Sequence, residues 1–227
     1  MKVQAIIPAA GIGARLKSQV PKPLVMLKGK PLFVYALEIL TKSSMISSVI
    51  LVVNAEAKPE LERIVKELSL LKPVKVVIGG ETRRESVFNG LQSTDDATEY
   101  VVVHDGARPL VSQSLLEEAI EKCRQEAAVV VAVPVKPTIK RVAKEGLYVE
   151  ATLDRSFLWE VQTPQVFKKQ ILLKAHQQAG EILATDDASL VEALGEKVKV
   201  LEGDYKNIKV TTQEDLLIAE ALIGNHS

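Results

Sequence analysis

The chain has 227 residues, 47% apolar and 26% charged, which is enough to build one α/β domain around a real core. Its 29 basic and 29 acidic residues balance, so no overall charge points to nucleic acid or to an anionic membrane surface. The single cysteine, Cys123, excludes a disulfide framework and a thiolate metal site.

The first apolar run, Val3 to Ala10, is short and leads directly into a glycine loop, which is unlike a secretory signal peptide. No apolar run approaches the length of a membrane span. We therefore expect a cytoplasmic protein that binds neither nucleic acid nor membranes.

Strands and helices alternate along the first 134 residues. Apolar runs predict strands at Val3–Pro8, Ser48–Asn54, Val74–Ile78, Tyr100–His104 and Ala128–Val133. Helical spacing predicts helices at Pro31–Lys42, Pro59–Leu71, Glu85–Gln92 and from a Ser112 cap to Glu126. Because the strands are apolar on both faces, we expect an α/β, Rossmann-like fold whose mostly parallel sheet carries helices on both faces.

The alternation stops after Pro134. Residues Lys136 to Asp154 are mixed, β-branched and basic, with a turn at Gly146, and they predict a projecting β-hairpin arm at about 136–153. The remaining predictions are helices at Lys168–Ala179 and Asp186–Leu194, a strand at Val198–Glu202 and a last helix opened by a capping box at Thr211 and Glu214. Without repeats or linkers, residues 1–227 are expected to form a single domain with this arm.

The loop after the first strand reads PAAGIGARL, and PKPL follows shortly afterwards. Four small residues allow backbone N–H groups to close around an anion: Ala9, Ala10, Gly11 and Gly13. Arg15 and Lys22 add two cations, a combination suited to a triphosphate. The alternative is a tight turn with two solvated cations.

Two familiar nucleotide-binding motifs do not fit this loop. A dinucleotide-binding loop needs a third glycine where Ala14 and Leu16 stand, and an acidic residue after the second strand, where the chain has Asn54. A P-loop needs Gly-Lys followed by Ser or Thr, and the sequence contains none.

A carboxylate, Asp105, follows the fourth strand, at the edge where open α/β sheets bind ligands. Mg²⁺ takes one or two carboxylates together with phosphate oxygens of a substrate, so Asp105 is a candidate metal ligand. The alternative is an Asx turn or an ion pair with Arg108. His104 has no second His or Cys at metal spacing, which favours a packing role.

The third strand ends in GGETRRESV. Gly80, with its neighbouring glycine, allows close approach of a base or ribose, and the Ser86 hydroxyl is a candidate for a hydrogen bond to a base edge. A plain strand-to-helix loop with a serine in the first helical turn is the equal alternative.

Together these segments resemble one family, the 2-C-methyl-D-erythritol 4-phosphate cytidylyltransferases of the non-mevalonate isoprenoid pathway. The resemblance covers nearly the whole chain. Its segments are PAAGIGARL, PKPL, GGETRRESV, HDGARP, PVKPTIKR, TLDRSFLW, QTPQVF, TDDAS and NIKVT. The chain departs from the family pattern at Pro23, often Gln, and at Gly106, often Ala; neither change removes a charged group.

The resemblance implies transfer of CMP from CTP to methylerythritol phosphate. Arg15 and Lys22 would then contact the triphosphate, Asp105 would hold Mg²⁺, and Arg155 and Lys209 would bind the acceptor phosphate. Further acceptor contacts would come from Thr138, Arg108, Thr163 and Thr185, and nucleotide contacts from Gly80, Ser86, Asp105 and the first loop. Arg83 is a weaker candidate. The alternatives are that Arg155 pairs with Asp154 in a turn, and that Lys209 protects an edge strand.

In this family the arm crosses to a second subunit, so the resemblance implies a homodimer; a lone projecting hairpin is also poorly stable by itself. Ribitol-5-phosphate cytidylyltransferase is the nearest alternative function, and Ala107 favours the methylerythritol enzyme by association only. Two more distant functions compete with these: a non-catalytic nucleotide-binding module, and a sugar nucleotidyltransferase for another base.

Overall fold

The computed structural model describes residues 1–11, 16, 20–180 and 184–224. Its strands are β1 (Val3–Pro8), β2 (Met26–Leu27), β3 (Lys30–Pro31), β4 (Ser48–Val53), β5 (Val74–Ile78), β6 (Tyr100–Val103), β7 (Ala128–Pro134), β8 (Lys140–Val142), β9 (Val149–Thr152), β10 (Trp159–Lys168) and β11 (Val198–Glu202). Its helices are α1 (Leu32–Lys42), α2 (Lys58–Glu67), α3 (Arg83–Gln92), α4 (Gln113–Gln125), α5 (Lys169–Gln178), α6 (Asp187–Ala193) and α7 (Gln213–Gly224).

A seven-stranded sheet in the order β11-β7-β10-β6-β1-β4-β5 forms the centre of the molecule. β10 runs antiparallel to both of its neighbours, and every other pair in this sheet is parallel. The predicted fold class is therefore confirmed.

Helices cover both faces of the sheet because successive strand residues point to opposite sides. In β1, Ile7 packs into a core with Leu37 of α1 and Leu116 of α4. Ile6, its neighbour, packs into the opposite core with Val87 of α3 and residues of α5 and α6. Alternation along strands that are buried on both faces thus divides the apolar residues between two layers.

A third, smaller core lies beside the loop that follows β1. It contains Leu16, Val25, Leu27, Leu32, Ala107, Val210 and Ala219. Here α7 packs against the short hairpin of β2 and β3, so the last helix holds the segment just before it close to the first loop.

Of the two helix caps predicted from the sequence, one is confirmed and the other is shifted. Ser112 caps α4 as predicted, its hydroxyl accepting from the Leu115 amide at 3.2 Å. The capping box predicted at Thr211 and Glu214 is wrong by one residue. Thr212 accepts from the Asp215 amide at 3.3 Å, and the Asp215 carboxylate accepts from the amide of Thr212 at 2.8 Å. An aspartate reaches back across the first turn as a glutamate does.

Other bounds also differ from the predictions. The second helix ends at Glu67 instead of Leu71. β10 was not predicted at all, because its buried interior contains Gln162, Thr163 and Gln165 and therefore lacks the apolar run of a central strand. None of the helices in the described ranges combines the length and the apolar composition needed to cross a membrane.

The predicted arm is a separate two-stranded hairpin of β8 and β9. Its turn passes through two residues with positive φ, Gly146 at 71° and Leu147 at 53°. Leu147 and Tyr148 are each 77% exposed. The arm therefore presents apolar surface that this chain does not bury.

Gly90 tests how closely α3 packs on the sheet. A Cβ placed there would lie 2.6 Å from Ile6 Cγ2 and 3.1 Å from Val52 Cγ2, inside a filled core. Gly90→Ala should therefore lower the free energy of unfolding in urea by about 1–2 kcal/mol, because overpacking outweighs the gain in helix propensity. Gln92→Ala, on the exposed side of the same helix, is the control and should stay within about 0.5 kcal/mol of the parent chain. A Gly90→Ala chain as stable as its parent would mean that α3 can move away from β1.

Candidate functional site

A cavity of about 370 Å³ opens at the carboxyl ends of β1, β5 and β6. The chain order reverses at this point, because β4 and β6 lie on opposite sides of β1. Open α/β sheets bind ligands where the strand order reverses in this way. The residues that line the cavity include Ala9, Ala10, Gly11, Lys22, Gly80, Glu81, Thr82, Arg83, Ser86, Asp105, Lys209 and Thr211.

The first loop supplies one wall of this cavity. Ala9, Ala10 and Gly11 line it, and the amide of Ala9 donates to the Val52 carbonyl at 2.7 Å, which continues the β1–β4 ladder. Lys22 lines it as well, at the start of a short 3₁₀ turn, Lys22–Leu24. The predicted residues Gly13 and Arg15 lie outside the described residues.

The loop between β5 and α3 forms the facing wall. A Cβ on Gly80 would lie 2.3 Å from the Cβ of Glu85, so only glycine fits beside the first turn of α3. The Ser86 hydroxyl accepts from the Gly80 amide at 3.2 Å, and its residue is 2% exposed although it lines the cavity. Thr82 and Glu85 form a capping box that was not predicted from the sequence. Ser86 and this cap fix the loop against the helix.

Asp105 stands in the cavity among three cations. Its carboxylate lies 2.7 Å from Lys209 Nζ, 3.5 Å from Arg83 Nε and 3.8 Å from Arg108 Nε. Burial alone would raise the pKa of Asp105, but the charges of Arg83, Lys209 and Arg108 outweigh it and hold the pKa well below the ordinary value. Asp105 is therefore ionised at neutral pH. The ion pair with Arg108, the alternative role considered for Asp105, is one of these three contacts.

A buried hydrogen-bond chain fixes the backbone of Asp105. The amide of Asp105 donates to Thr163 Oγ1 at 3.0 Å, and Thr163 Oγ1 lies 3.0 Å from His104 Nδ1. His104 Nε2 lies 3.2 Å from the carbonyl oxygen of Arg108, which only accepts. The proton of the neutral imidazole is therefore on Nε2, and Nδ1 accepts from Thr163. Burial lowers the pKa of His104 to about 4, against the opposing charge of Asp105.

Arg108 and Thr163 are buried behind the cavity and do not line it. Arg108 Nη1 donates to the Asn207 carbonyl at 2.7 Å, and Asn207 Nδ2 donates to the Thr163 carbonyl at 2.8 Å. These bonds connect three distant parts of the chain. The structure thus gives both residues a supporting position, where the sequence resemblance suggested direct substrate contacts.

Lys209 reaches the cavity because its segment is attached to the Asp105 loop. The amide of Val210 donates to the Ala107 carbonyl at 2.8 Å, and Val210 is fully buried in the third core. The sequence resemblance grouped Lys209 with Arg155 as an acceptor pair. In the structure Lys209 lines the cavity beside Asp105, within hydrogen-bond distance of the carboxylate, whereas Arg155 does not line it.

Three predicted residues lie away from this cavity: Arg155, Thr138 and Thr185. All three are exposed. Arg155 donates to the backbone carbonyl of Lys136 at the base of the arm. Asp154 accepts from the amide of Ser156 at 3.0 Å, so these two neighbours have different partners. Within one chain, the donor and acceptor candidates are only partly brought together.

Arg83 contributes more to the site than its sequence context indicated. Its guanidinium lines the cavity and lies 2.7 Å, through Nη1, from a carboxylate oxygen of Asp187. Burial opposes its charge, but Asp187 and Asp105 outweigh this effect and raise the pKa of Arg83. Asp187 and Thr211 are further residues of the site that were not predicted from the sequence.

The cavity suits a polyanion. Lys22, Arg83 and Lys209 line it, and Gly11 and Gly80 line it without a side chain to cover their backbone. The described residues contain no group of three His, Cys, Asp or Glu side chains arranged to hold a metal ion by themselves. Mg²⁺ held partly by phosphate oxygens needs only one or two carboxylates, a requirement that Asp105 meets.

Comparison with known proteins gives a consistent result over the whole chain. The family model described as 2-C-methyl-D-erythritol 4-phosphate cytidylyltransferase matches residues 3–225. A protein of that name from Geobacillus thermodenitrificans is 44% identical over 227 residues, covering 99% of this chain and 98% of the relative. Another from Alkaliphilus metalliredigens is 46% identical over 226 residues, covering 98% and 93%.

Solved structures agree. The 4-diphosphocytidyl-2C-methyl-D-erythritol synthase of Anaerococcus prevotii superposes with a TM-score of 0.87 at 33% identity, covering 98% of this chain and 96% of the other. The 2-C-methyl-D-erythritol 4-phosphate cytidylyltransferase of Thermus thermophilus superposes with a TM-score of 0.81 at 32% identity, covering 99% and 100%.

The buried, neutral His104 predicts a loss of stability in mild acid. Because the pKa of His104 in the folded chain, about 4, lies below the ordinary value of 6.5, the unfolded chain binds more protons between these values. Folding stability should therefore fall as the pH is lowered through this window, by about 2 kcal/mol between pH 7.5 and pH 5 from this residue. Urea unfolding of the parent chain and of His104→Gln across this range measures the difference. Equal pH slopes for the two chains would contradict the assignment.

Proposed function

The chain belongs to the 2-C-methyl-D-erythritol 4-phosphate cytidylyltransferase family, and on that premise we propose how its own residues perform the reaction. It transfers CMP from CTP to 2-C-methyl-D-erythritol 4-phosphate, giving 4-diphosphocytidyl-2-C-methyl-D-erythritol and pyrophosphate. The observation that supports the residue assignments best is the ionised Asp105 among three cations, at the edge of the sheet where the strand order reverses.

The alternative acceptor, ribitol 5-phosphate, is not favoured. The family model and the relatives described above are all named for methylerythritol phosphate or for its cytidylyl product. The same names disfavour a non-catalytic nucleotide-binding module and a nucleotidyltransferase for another base.

In this reaction a phosphate oxygen of the acceptor attacks the α-phosphorus of CTP. The new P–O bond forms as the bond to the β-phosphate oxygen breaks, and pyrophosphate leaves with that electron pair. The protein must bring two anions together and stabilise the added negative charge at phosphorus. Positioning and charge stabilisation therefore carry the rate, and no covalent protein intermediate is required.

The cavity side chains divide this task on the donor side. Lys22, with Arg15, neutralises the triphosphate and stabilises charge that develops at the α-phosphate. The backbone of Ala9, Ala10 and Gly11, which line the cavity, approaches the nucleotide closely, and the Gly80–Ser86 loop receives the cytosine ring. Ser86 acts there by fixing the Gly80 backbone, whose N–H and C=O then have one orientation.

Asp105 fits the part of a magnesium ligand. A bound Mg²⁺ would neutralise phosphate charge and favour departure of pyrophosphate. The carboxylate is paired with Lys209 at 2.7 Å, so a candidate metal ligand and a candidate anion-binding cation stand side by side in the cavity. With Mg²⁺ on Asp105, the Lys209 ammonium would bind an anionic group of the substrates beside the metal and help to hold the two anions together.

Arg155, Thr138 and Thr185 complete the acceptor side in this proposal. Two of them belong to the arm or its base, and Arg155 does not line the cavity of its own chain. We therefore propose that residues 1–227 form one nucleotidyltransferase domain with an arm at about residues 136–153. The arm would cross to a second copy of the chain and contribute to the active site of that copy. The homodimer so formed would act in the cytoplasm, without nucleic-acid or membrane partners.

The exposed apolar residues of the arm support this dimer. Phe157 at the base of the arm is 82% exposed, and Tyr148 at its turn is 77% exposed. Exposed aromatic side chains of this kind are common at protein interfaces. A two-stranded hairpin that forms a sheet of its own is only marginally stable by itself, and it gains stability by packing on a partner.

Substrate choice is tested by pyrophosphate release from CTP, ATP, GTP and UTP with each of the two polyol phosphates. We expect turnover with CTP and methylerythritol phosphate in Mg²⁺, little with the purine nucleotides, and loss of turnover in EDTA. Faster turnover with ribitol 5-phosphate would move the chain to the alternative function.

The role of Asp105 is tested by the variant Asp105→Asn. This variant should need a much higher Mg²⁺ concentration for turnover, because a neutral amide is a poor ligand for this cation.

The shared site is tested by mixing two inactive variants. Lys22→Ala should damage the donor side of its own cavity, and Arg155→Ala the acceptor side of the partner's cavity. A 1:1 mixture that has exchanged subunits contains hybrid dimers with one intact site each, so about a quarter of the parent activity should return.

Each variant mixed with itself is the control and should remain inactive. Failure of the mixture to recover activity, when subunit exchange is demonstrated, would place Arg155 in the site of its own subunit or outside any site.

Arg155→Lys should also turn over poorly while its CTP affinity stays near the parent value, because a point charge cannot replace a planar, bidentate grip on phosphate.

A further inference from the structure

A second buried carboxylate lies behind the cavity, on the first turn of α6. The side chain of Asp187 is 1% exposed, and its two oxygens have different partners. One oxygen accepts from Arg83 Nη1 at 2.7 Å, and the other lies 3.1 Å from His176 Nε2. Since a carboxylate accepts only, His176 is the donor in this bond.

His176 is itself held in place. Its side chain is 1% exposed and its ring stacks on Phe88, with 5.9 Å between the ring centroids. Phe88 belongs to α3, the helix that begins with Arg83. Asp187 is thus fixed from one side by α5 and α3, and it fixes the first residue of α3 from the other side.

Arg83 is shared unequally between two carboxylates. Asp187 holds Nη1 in a hydrogen bond of 2.7 Å, whereas Nε lies 3.5 Å from Asp105, beyond the usual length of a charge-assisted bond. The stronger bond lies on the buried side, away from the cavity. It keeps the guanidinium on the wall and leaves Asp105 only loosely engaged by it.

We propose that Asp187 is a positioning residue for CTP binding, which acts by holding Arg83 on the cavity wall between the Gly80 loop and Asp105. The inference rests on the proposed function, since it assigns a support to the donor site described above. Its chemistry is that of a fixed cation: a planar guanidinium anchored at one edge presents its other N–H groups to an anionic nucleotide without first having to be ordered.

Removal of the Asp187 charge releases this anchor. Arg83 then has one carboxylate left, and the planar fork can close on Asp105 as a short, bidentate pair. Such a pair moves the guanidinium away from the Gly80 loop. It also occupies oxygens of Asp105 that CTP and its metal would otherwise use.

Asp187→Asn is the direct test, because the amide keeps the shape of the side chain. Calorimetric titration with CTP in EDTA should show a dissociation constant raised about ten-fold, the effect of one misplaced charged hydrogen bond. Steady-state kinetics in Mg²⁺ should show the KM for CTP raised by a similar factor, with the KM for methylerythritol phosphate changed less than two-fold. A purely structural role would instead shift both KM values or only the melting temperature.

Asp186→Asn is the matched control. Asp186 stands next to Asp187 and caps α6, accepting from the Ser189 amide at 3.1 Å and from Gln165 Nε2 at 2.8 Å. Asparagine is an equally good cap, so this variant loses the same charge in the same turn without releasing Arg83. Its CTP affinity should match that of the parent chain. A loss as large as that of Asp187→Asn would overturn the proposal.

Arg83 supplies the second arm of the experiment. In an Arg83→Gln background, Asp187→Asn should change the CTP dissociation constant less than two-fold, because Asp187 then has no guanidinium to position. If Asp187→Asn alone does not fold, Arg83→Lys replaces it: a single ammonium cannot serve two carboxylates, and CTP affinity should fall about ten-fold.

The outcomes separate this inference from the proposed function. Failure of the parent chain and of Asp186→Asn to bind CTP would refute the donor site itself. Normal CTP binding by these two chains together with normal binding by Asp187→Asn, or by Arg83→Lys, would refute only the positioning role.

Discussion

The ion pairs around Asp105 are the interaction on which the rest of the site depends. A carboxylate that is only 9% exposed stays charged there because Lys209, Arg83 and Arg108 surround it. Each cation comes from a different part of the chain, and each part is fixed by separate hydrogen bonds or apolar packing. Thr163, Asn207 and His104 set the backbone, and α7 packs to hold the segment of Lys209. Many of the contacts made by residues between β6 and α7 therefore position groups that keep the Asp105 carboxylate ionised.

This arrangement explains why the fold was easier to predict from sequence than the site. Buried strands are continuous apolar runs, so β1, β4 and β7 are visible in the sequence nearly to the residue. β10 is not, because its interior polar side chains serve the Asp105 network and interrupt the apolar pattern. The strand that could not be predicted is therefore the one whose polar side chains support the site.

The same reasoning separates the site residues. Loop chemistry pointed to Gly80, Asp105 and Lys22, and all three line the cavity. Sequence named Arg83 only as a weaker candidate, because its role depends on its partner: Arg83 reaches Asp187, whereas its neighbour Arg84 reaches the carbonyl of Gly180. Nor could it separate Arg108 and Thr163, which support the site from behind, from residues that face it. Such distinctions depend on tertiary contacts between distant segments.

The position of β10 also matters before the protein is complete. β6 and β7 do not pair with each other; the antiparallel β10 lies between them and bonds to both. A chain emerging from the ribosome can pair β1, β4, β5 and β6 early. Until residues 159–168 have emerged, however, β6 keeps one unpaired edge and β7 keeps two, and the second edge of β7 then waits for β11. Open strand edges invite pairing with other chains. The nascent protein is thus most exposed to misassembly while its arm is being synthesised, and insertion of β10 covers one edge of each of its two neighbours at once.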